Sequence, residues 1–224
     1  MKKVLSVYQY VAPAVLAPLS FFLWYQEYSG NLKLVAVAWL VPILWAYIVP
    51  GIGTNVLKMW EFDARLRLGR FRIHHGFVFG SATATIAWLL HRQAADGVGA
   101  ILLNALVVGS VLGFWNLLYD IKALESGILR VYNQPWAEGK SPADIALDYA
   151  PWFFGGFGAI YGAGMAWVEQ TEKQDGLATG DFTMALVLIT VLSCVLPTAG
   201  YMVQSVARHG HWGTRPVAKK CQSV

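Results

Sequence analysis

Three carboxylates and two histidines stand at the margins of apolar stretches in this chain, where an ionisable group meets water on one side and hydrocarbon on the other. Asp120 follows one stretch, Glu125 lies a turn and a half further on, Asp148 precedes another, and His74-His75 precede a third. A carboxylate beside an imidazole can move a proton, because the imidazole titrates near neutrality and the carboxylate orients it or accepts from it. The same donor set can hold a metal ion. Around these groups stand residues suited to fixing a substrate. Lys58, Arg65 and Arg130 supply positive charge, Asn116 lies one helical turn before Asp120, and Tyr149 adjoins Asp148. Any of Arg65, Arg67, Arg70 and Arg72 offers a fork of donors to a phosphate or carboxylate. Asp120, Glu125, His75 and Asp148 are therefore the expected acid–base or metal groups. Lys58, Arg65, Arg130, Asn116 and Tyr149 are the expected substrate contacts. The identity of any metal or cofactor stays open. His209 and His211 form a second chelating spacing, although an isolated pair in a tail rarely holds a metal alone.

The elements that must position these groups are membrane helices. Six uncharged stretches cover residues 4–26, 34–57, 76–90, 97–119, 149–168 and 182–207. A hydrocarbon core of about 30 Å needs roughly 20 helical residues. Five stretches reach that length, and the third needs the histidines at its rims. Composition agrees: hydrophobic residues are 56% of the chain and charged residues 13%, against about 25% charged in an ordinary soluble domain. The expected fold is all-α, a bundle of six transmembrane helices over residues 1–207 with short cytoplasmic interfacial helices and a basic tail, 208–224. Met1-Lys2-Lys3 resembles the start of a secretory signal, but the apolar run behind it is long and carries Tyr8, Gln9 and Tyr10. It reads as a retained first helix. Cys194 and Cys221 give no disulfide framework.

Orientation follows from the positive charges. The segments 1–3, 58–75, 120–148 and 208–224 hold fourteen of the seventeen lysines and arginines. Basic loops are retained on the cytoplasmic side, so both termini are expected there, in a multi-pass protein of the cell inner membrane.

Within the basic segments, Met59, Phe62 and Leu66 share one helical face amid arginines, the pattern of an interfacial helix on anionic headgroups. The fourth span is expected to run on as a helix to Tyr132. Asn133–Lys140 reads as a turn, and Ser141-Pro142-Ala143-Asp144 as a capped helix start. Gly109-x-x-x-Gly113 and Gly158-x-x-x-Gly162 predict close packing of the fourth and fifth spans. The fifth, bare on one side, also suits a second copy or a partner subunit.

No Asp, Glu, Lys, Arg or His lies near the middle of a span. That argues against a proton-coupled carrier and against a haem between two mid-membrane histidines. The acid-rich pairs of prenyltransferases and the histidine boxes of membrane desaturases are absent. The expected function is an enzyme or binding protein for a lipid-like or isoprenoid-like molecule at the cytoplasmic interface. Its partners would be membrane lipids and a hydrophobic or amphiphilic small molecule, with no nucleic acid. The alternatives are a small-molecule transporter or channel, and a non-catalytic subunit of a larger membrane complex.

Overall fold

Apolar runs without a period-two alternation fold as helices, and a computed structural model describing residues 2–91 and 96–219 bears this out. The long helices are α1 (Lys2–Glu27), α2 (Leu32–Gly51), α3 (His75–Leu90), α4 (Val98–Glu125), α7 (Phe157–Asp175) and α8 (Thr179–His209). A wider π-helical stretch extends α2 over Ile52–Val56, and another, Pro151–Gly156, leads into α7. Among the described residues four helices are long and apolar enough to cross a membrane: α1, α2 with its extension, α4 and α8. They present large apolar side chains outward, among them Val7, Val15, Leu103, Leu106 and Val187, as a surface solvated by lipid would.

Small residues set the closest helix contact. A Cβ on Gly158 would lie 3.0 Å from the Gly109 Cα, and one on Gly162 would lie 2.8 Å from the Asn104 carbonyl. The expected packing of the fourth and fifth apolar stretches, now α4 and α7, is therefore present. Asn104 Nδ2 donates to the Gly162 carbonyl at 2.7 Å across the same contact. Aromatic donors fasten the remaining helices. Trp24 Nε1 donates to the Ala84 carbonyl and Trp45 Nε1 to that of Ser193, both at 2.9 Å, and the Tyr161 hydroxyl donates to the Ala38 carbonyl.

Two local expectations are corrected. Residues 58–72 are not an interfacial helix but three short strands: β1 (Trp60–Phe62), β2 (Arg67–Leu68) and β3 (Phe71–Arg72). Lys58, at φ 58°, ends the preceding helix in the left-handed region. β1 then pairs antiparallel with β4 (Leu129–Val131), Trp60 opposite Val131 and Phe62 opposite Leu129. β2 and β3 close a hairpin through Gly69-Arg70, with Gly69 at φ +62°. The Met59-Phe62-Leu66 spacing imitates a helix, but pairing with a distant strand decides the backbone.

The second correction concerns 119–140. Helix α4 stops at Glu125, Gly127 turns the chain at φ +73°, and β4 follows. Asn133 caps a short helix, α5 (Gln134–Ala137), where a turn was expected. The expected helix start at Ser141 is present as α6 (Pro142–Leu147), with the Ser141 and Asp144 side chains completing a reciprocal capping box.

The strands, α5, α6 and the tail gather at one end of the helices. There Lys2 pairs with Asp63 at 3.0 Å, and Val217 N donates to the Tyr132 carbonyl at 3.0 Å. The C-terminal ends of α1, α3 and α7 meet at the opposite end, where His91 contacts Glu27 and Glu169.

Candidate functional site

At the strand-bearing end the helices part around an open-mouthed cavity of about 70 Å³. Helical periodicity explains its lining. Asn116, Asp120 and Ala123 follow each other by four and three residues on α4, and His75, Phe79 and Ala82 repeat the pattern on α3. The π-helical stretch before α7 widens the turn so that Phe153 and Phe154 both reach the cavity. Trp60 and Phe62 of β1 with Leu129 and Val131 of β4 form a floor, Arg72 enters from β3, and Tyr8 from α1. Gly53 is required beneath Trp60, because a Cβ there would fall 2.3 Å from the indole.

Most of the wall is aromatic. Trp60 meets Phe153 edge-on, centroids 5.4 Å apart, and Phe62 lies 4.5 Å from the His75 ring. The polar groups are few and lie on different sides. Tyr149 donates its hydroxyl to Asp120 Oδ2 at 2.6 Å, both residues being buried. Arg72 is 1% exposed. Its Nη2 donates to His75 Nδ1 at 2.8 Å and its Nη1 to Gln9 Oε1 at 3.3 Å. Because His75 Nδ1 accepts, its proton sits on Nε2, which remains a donor. The guanidinium stacks 5.1 Å above the Phe62 ring, while its Nε has no partner. Burial pulls the Arg72 pKa below the usual arginine range, and the neighbouring Tyr119, Tyr8 and Asp120 oppose the shift. Asn116 spends one amide proton on the Leu112 carbonyl at 2.9 Å. The cavity thus presents N–H donors from Arg72 and His75 and a carboxylate acceptor from Asp120. Such a set can hold a polar head, and Asp120 can take a proton from it.

Asp120, His75, Asn116 and Tyr149 come together here, four of the nine residues that the sequence suggested. The other five lie outside the lining. Glu125 is exposed and pairs with Lys122 at 2.8 Å. Asp148 is buried, but against the tail: it accepts from Asn133 Nδ2 at 3.0 Å and contacts His209 Nε2 at 2.7 Å. Arg130 lies 3.8 Å from Glu61. The Arg65 backbone N–H donates to the Tyr10 hydroxyl, and the Lys58 carbonyl accepts from Arg70. His211 faces Gln134 at 3.3 Å, so the tail histidines have separate partners. Among the described residues no three His, Cys, Asp or Glu side chains are grouped to hold a metal.

Sequence reasoning left Arg72 as one of four equivalent arginines and did not single out Tyr8, Tyr119 or Trp60. The usable signal for Arg72 was the Leu68-Gly69-Arg70-Phe71 tetrapeptide, whose Gly-x pair marks a two-residue hairpin and so fixes which arginine adjoins α3. Comparison with protein-family profiles, with curated proteins and with solved structures found no match.

Proposed function

We propose that this protein crosses the inner membrane six times with both termini cytoplasmic and holds a lipid-like amphiphile at its cytoplasmic rim, as an enzyme or binding protein. One observation carries the reading. An aromatic-walled cavity lies at the basic ends of the helices, with its few polar groups belonging to Arg72, His75, Asn116, Asp120 and the tyrosines Tyr8, Tyr119 and Tyr149. Apolar pockets with a small number of placed polar groups are how proteins hold small hydrophobic molecules. The head would meet Arg72, His75 and Asp120, and the body would lie against Trp60, Phe153 and Phe154. If the molecule is transformed, Asp120 is the proton acceptor and His75 Nε2–H the donor.

Six spans are supported by the alternating direction of the long helices and by the gathering of the basic segments at one end. Reporter fusions after residues 30 and 175 should read external, and fusions after 66, 134 and 215 internal. Two swapped sites would overturn that topology. The transporter alternative would need a route past Trp45, Phe157 and Tyr161, each no more than 2% exposed.

The amphiphile reading is tested by native mass spectrometry of protein purified in mild detergent, followed by lipid analysis. A single adduct of defined mass should accompany the wild type and be lost from Ala82→Trp, which fills the cavity. An adduct retained by Ala82→Trp, or a stoichiometric protein partner in its place, would contradict the reading.

A further inference from the structure

We propose that the head of the molecule held in this cavity is a singly charged oxyanion, and that Arg72 is its anchor. The proposal rests on the amphiphile reading above and adds the ligand's charge to it. The groups within hydrogen-bond reach of the Arg72 guanidinium are all neutral: the Gln9 amide, the His75 imidazole and the Tyr119 hydroxyl. The aromatic face of Phe62 covers it from one side. Among the described residues no carboxylate forms an ion pair with it. Its Nε–H has no acceptor, in a residue 1% exposed.

Burying an ion is tolerated when a direct ion pair or a full set of hydrogen bonds meets it. Arg72 makes no ion pair among the described residues, feels Asp120 only at a distance, and leaves its Nε–H without an acceptor. Arginine does not escape by losing its proton, as a buried lysine or histidine does. The missing partner must therefore come from outside the chain. An oxygen of a carboxylate or phosphate satisfies the requirement by accepting from Arg72 Nε–H.

Asp120 limits the charge of that head. It lines the same cavity, accepts from Tyr149, and stands beyond ion-pair distance from Arg72. A second negative charge on the ligand would face this carboxylate without a further cation to offset it. The aromatic wall explains why the anion arrives on an amphiphile: a small hydrated ion gains nothing from Trp60 and Phe153.

Binding of oleate, oleyl alcohol and inorganic phosphate to detergent-solubilised, delipidated protein at pH 8 tests this, read by thermal shift and by titration calorimetry. Oleate should bind the wild type at least about 10-fold more tightly than oleyl alcohol, the factor expected of one charge-assisted hydrogen bond. In Arg72→Gln the two amphiphiles should bind alike. Equal binding of oleate and oleyl alcohol to the wild type overturns the anchor while leaving an amphiphile site intact. No binding of either overturns the amphiphile reading itself. Phosphate binding as tightly as oleate assigns the site to a free ion and overturns the proposal. The wild-type comparison decides the matter even if Arg72→Gln fails to fold.

Discussion

The two ends of this molecule use the same side-chain chemistry to opposite effect. At the end away from the strands, His91 caps α3 and contacts Glu27 through Nδ1 at 3.0 Å and Glu169 through Nε2 at 2.8 Å. The Tyr28 hydroxyl donates to Glu169 as well. Asn31 Nδ2 donates to Glu172 at 2.7 Å, and Lys173 meets Asp96 at 3.0 Å. Each of these charges faces an opposite charge or a donor, and the His91 contacts tie α1, α3 and α7 together. At the strand-bearing end Arg72 is buried without a counter-ion, beside a cavity. A satisfied polar network acts as a staple, because each partner already has what water would have given it. An unsatisfied one waits for a ligand. Polarity alone therefore does not identify a site, and the deficit in partners does.

The largest effect that could break this contrast comes from Glu169→Ala. It strips His91 and Tyr28 of their shared acceptor and should cost about 2–4 kcal/mol, as breaking a mostly buried ion pair does. Thermal unfolding in detergent measures it, and a loss below about 0.5 kcal/mol would mean that the outer network does not hold the helices. Next comes Gly158→Leu, midway between the ends, where the new side chain would meet the α4 backbone. Overpacking there should cost about 1–3 kcal/mol without regard to ligand. An unchanged melting temperature would refute the close α4–α7 contact.

A smaller effect sharpens the contrast by its sign. Removing an unneutralised buried charge relieves a cost, so Arg72→Gln should leave the ligand-free protein as stable as the wild type or slightly more so. A marked destabilisation would mean that Arg72 serves packing, as the outer charges do.

The smallest effect is a pH dependence confined to the outer end. Burial alone would lower the His91 pKa, but its hydrogen bonds and charge contacts with Glu169 and Glu27 outweigh burial and raise it. A raised pKa in the folded state means that His91 contributes its full stabilisation below the ordinary histidine value of about 6.5, and that this is lost as pH rises through the higher folded value. Stability should therefore fall on that alkaline side, and His91→Gln should flatten the decline. A decline that persists unchanged in the variant would assign it to another group.

Much of this architecture was legible from residue order because membrane helices are local objects. Uninterrupted apolar runs, the Ser141–Asp144 box and the Gly109/Gly158 contact each depend on a few neighbouring residues. The convergence of His75, Asn116, Asp120 and Tyr149 was legible too, since each stands at the same end of its own helix. The β1–β4 pairing was not, because Trp60–Phe62 needs a partner about seventy residues away in the chain. Nor was the outer clasp, whose members Glu27, His91 and Glu169 sit in unremarkable connections and matter only once three helix ends meet. Arg72 became distinct from Arg65, Arg67 and Arg70 only when the Gly69 hairpin directed it inward while Arg67 remained at the surface.

The most direct test is an experimental structure of the protein in a lipid nanodisc, purified without delipidation. The account predicts ordered ligand density in the cavity, with head-group oxygen within hydrogen-bond distance of Arg72 Nε and a hydrocarbon body against Trp60 and Phe153. A cavity holding only water, with bound lipid located elsewhere on the protein, would contradict it.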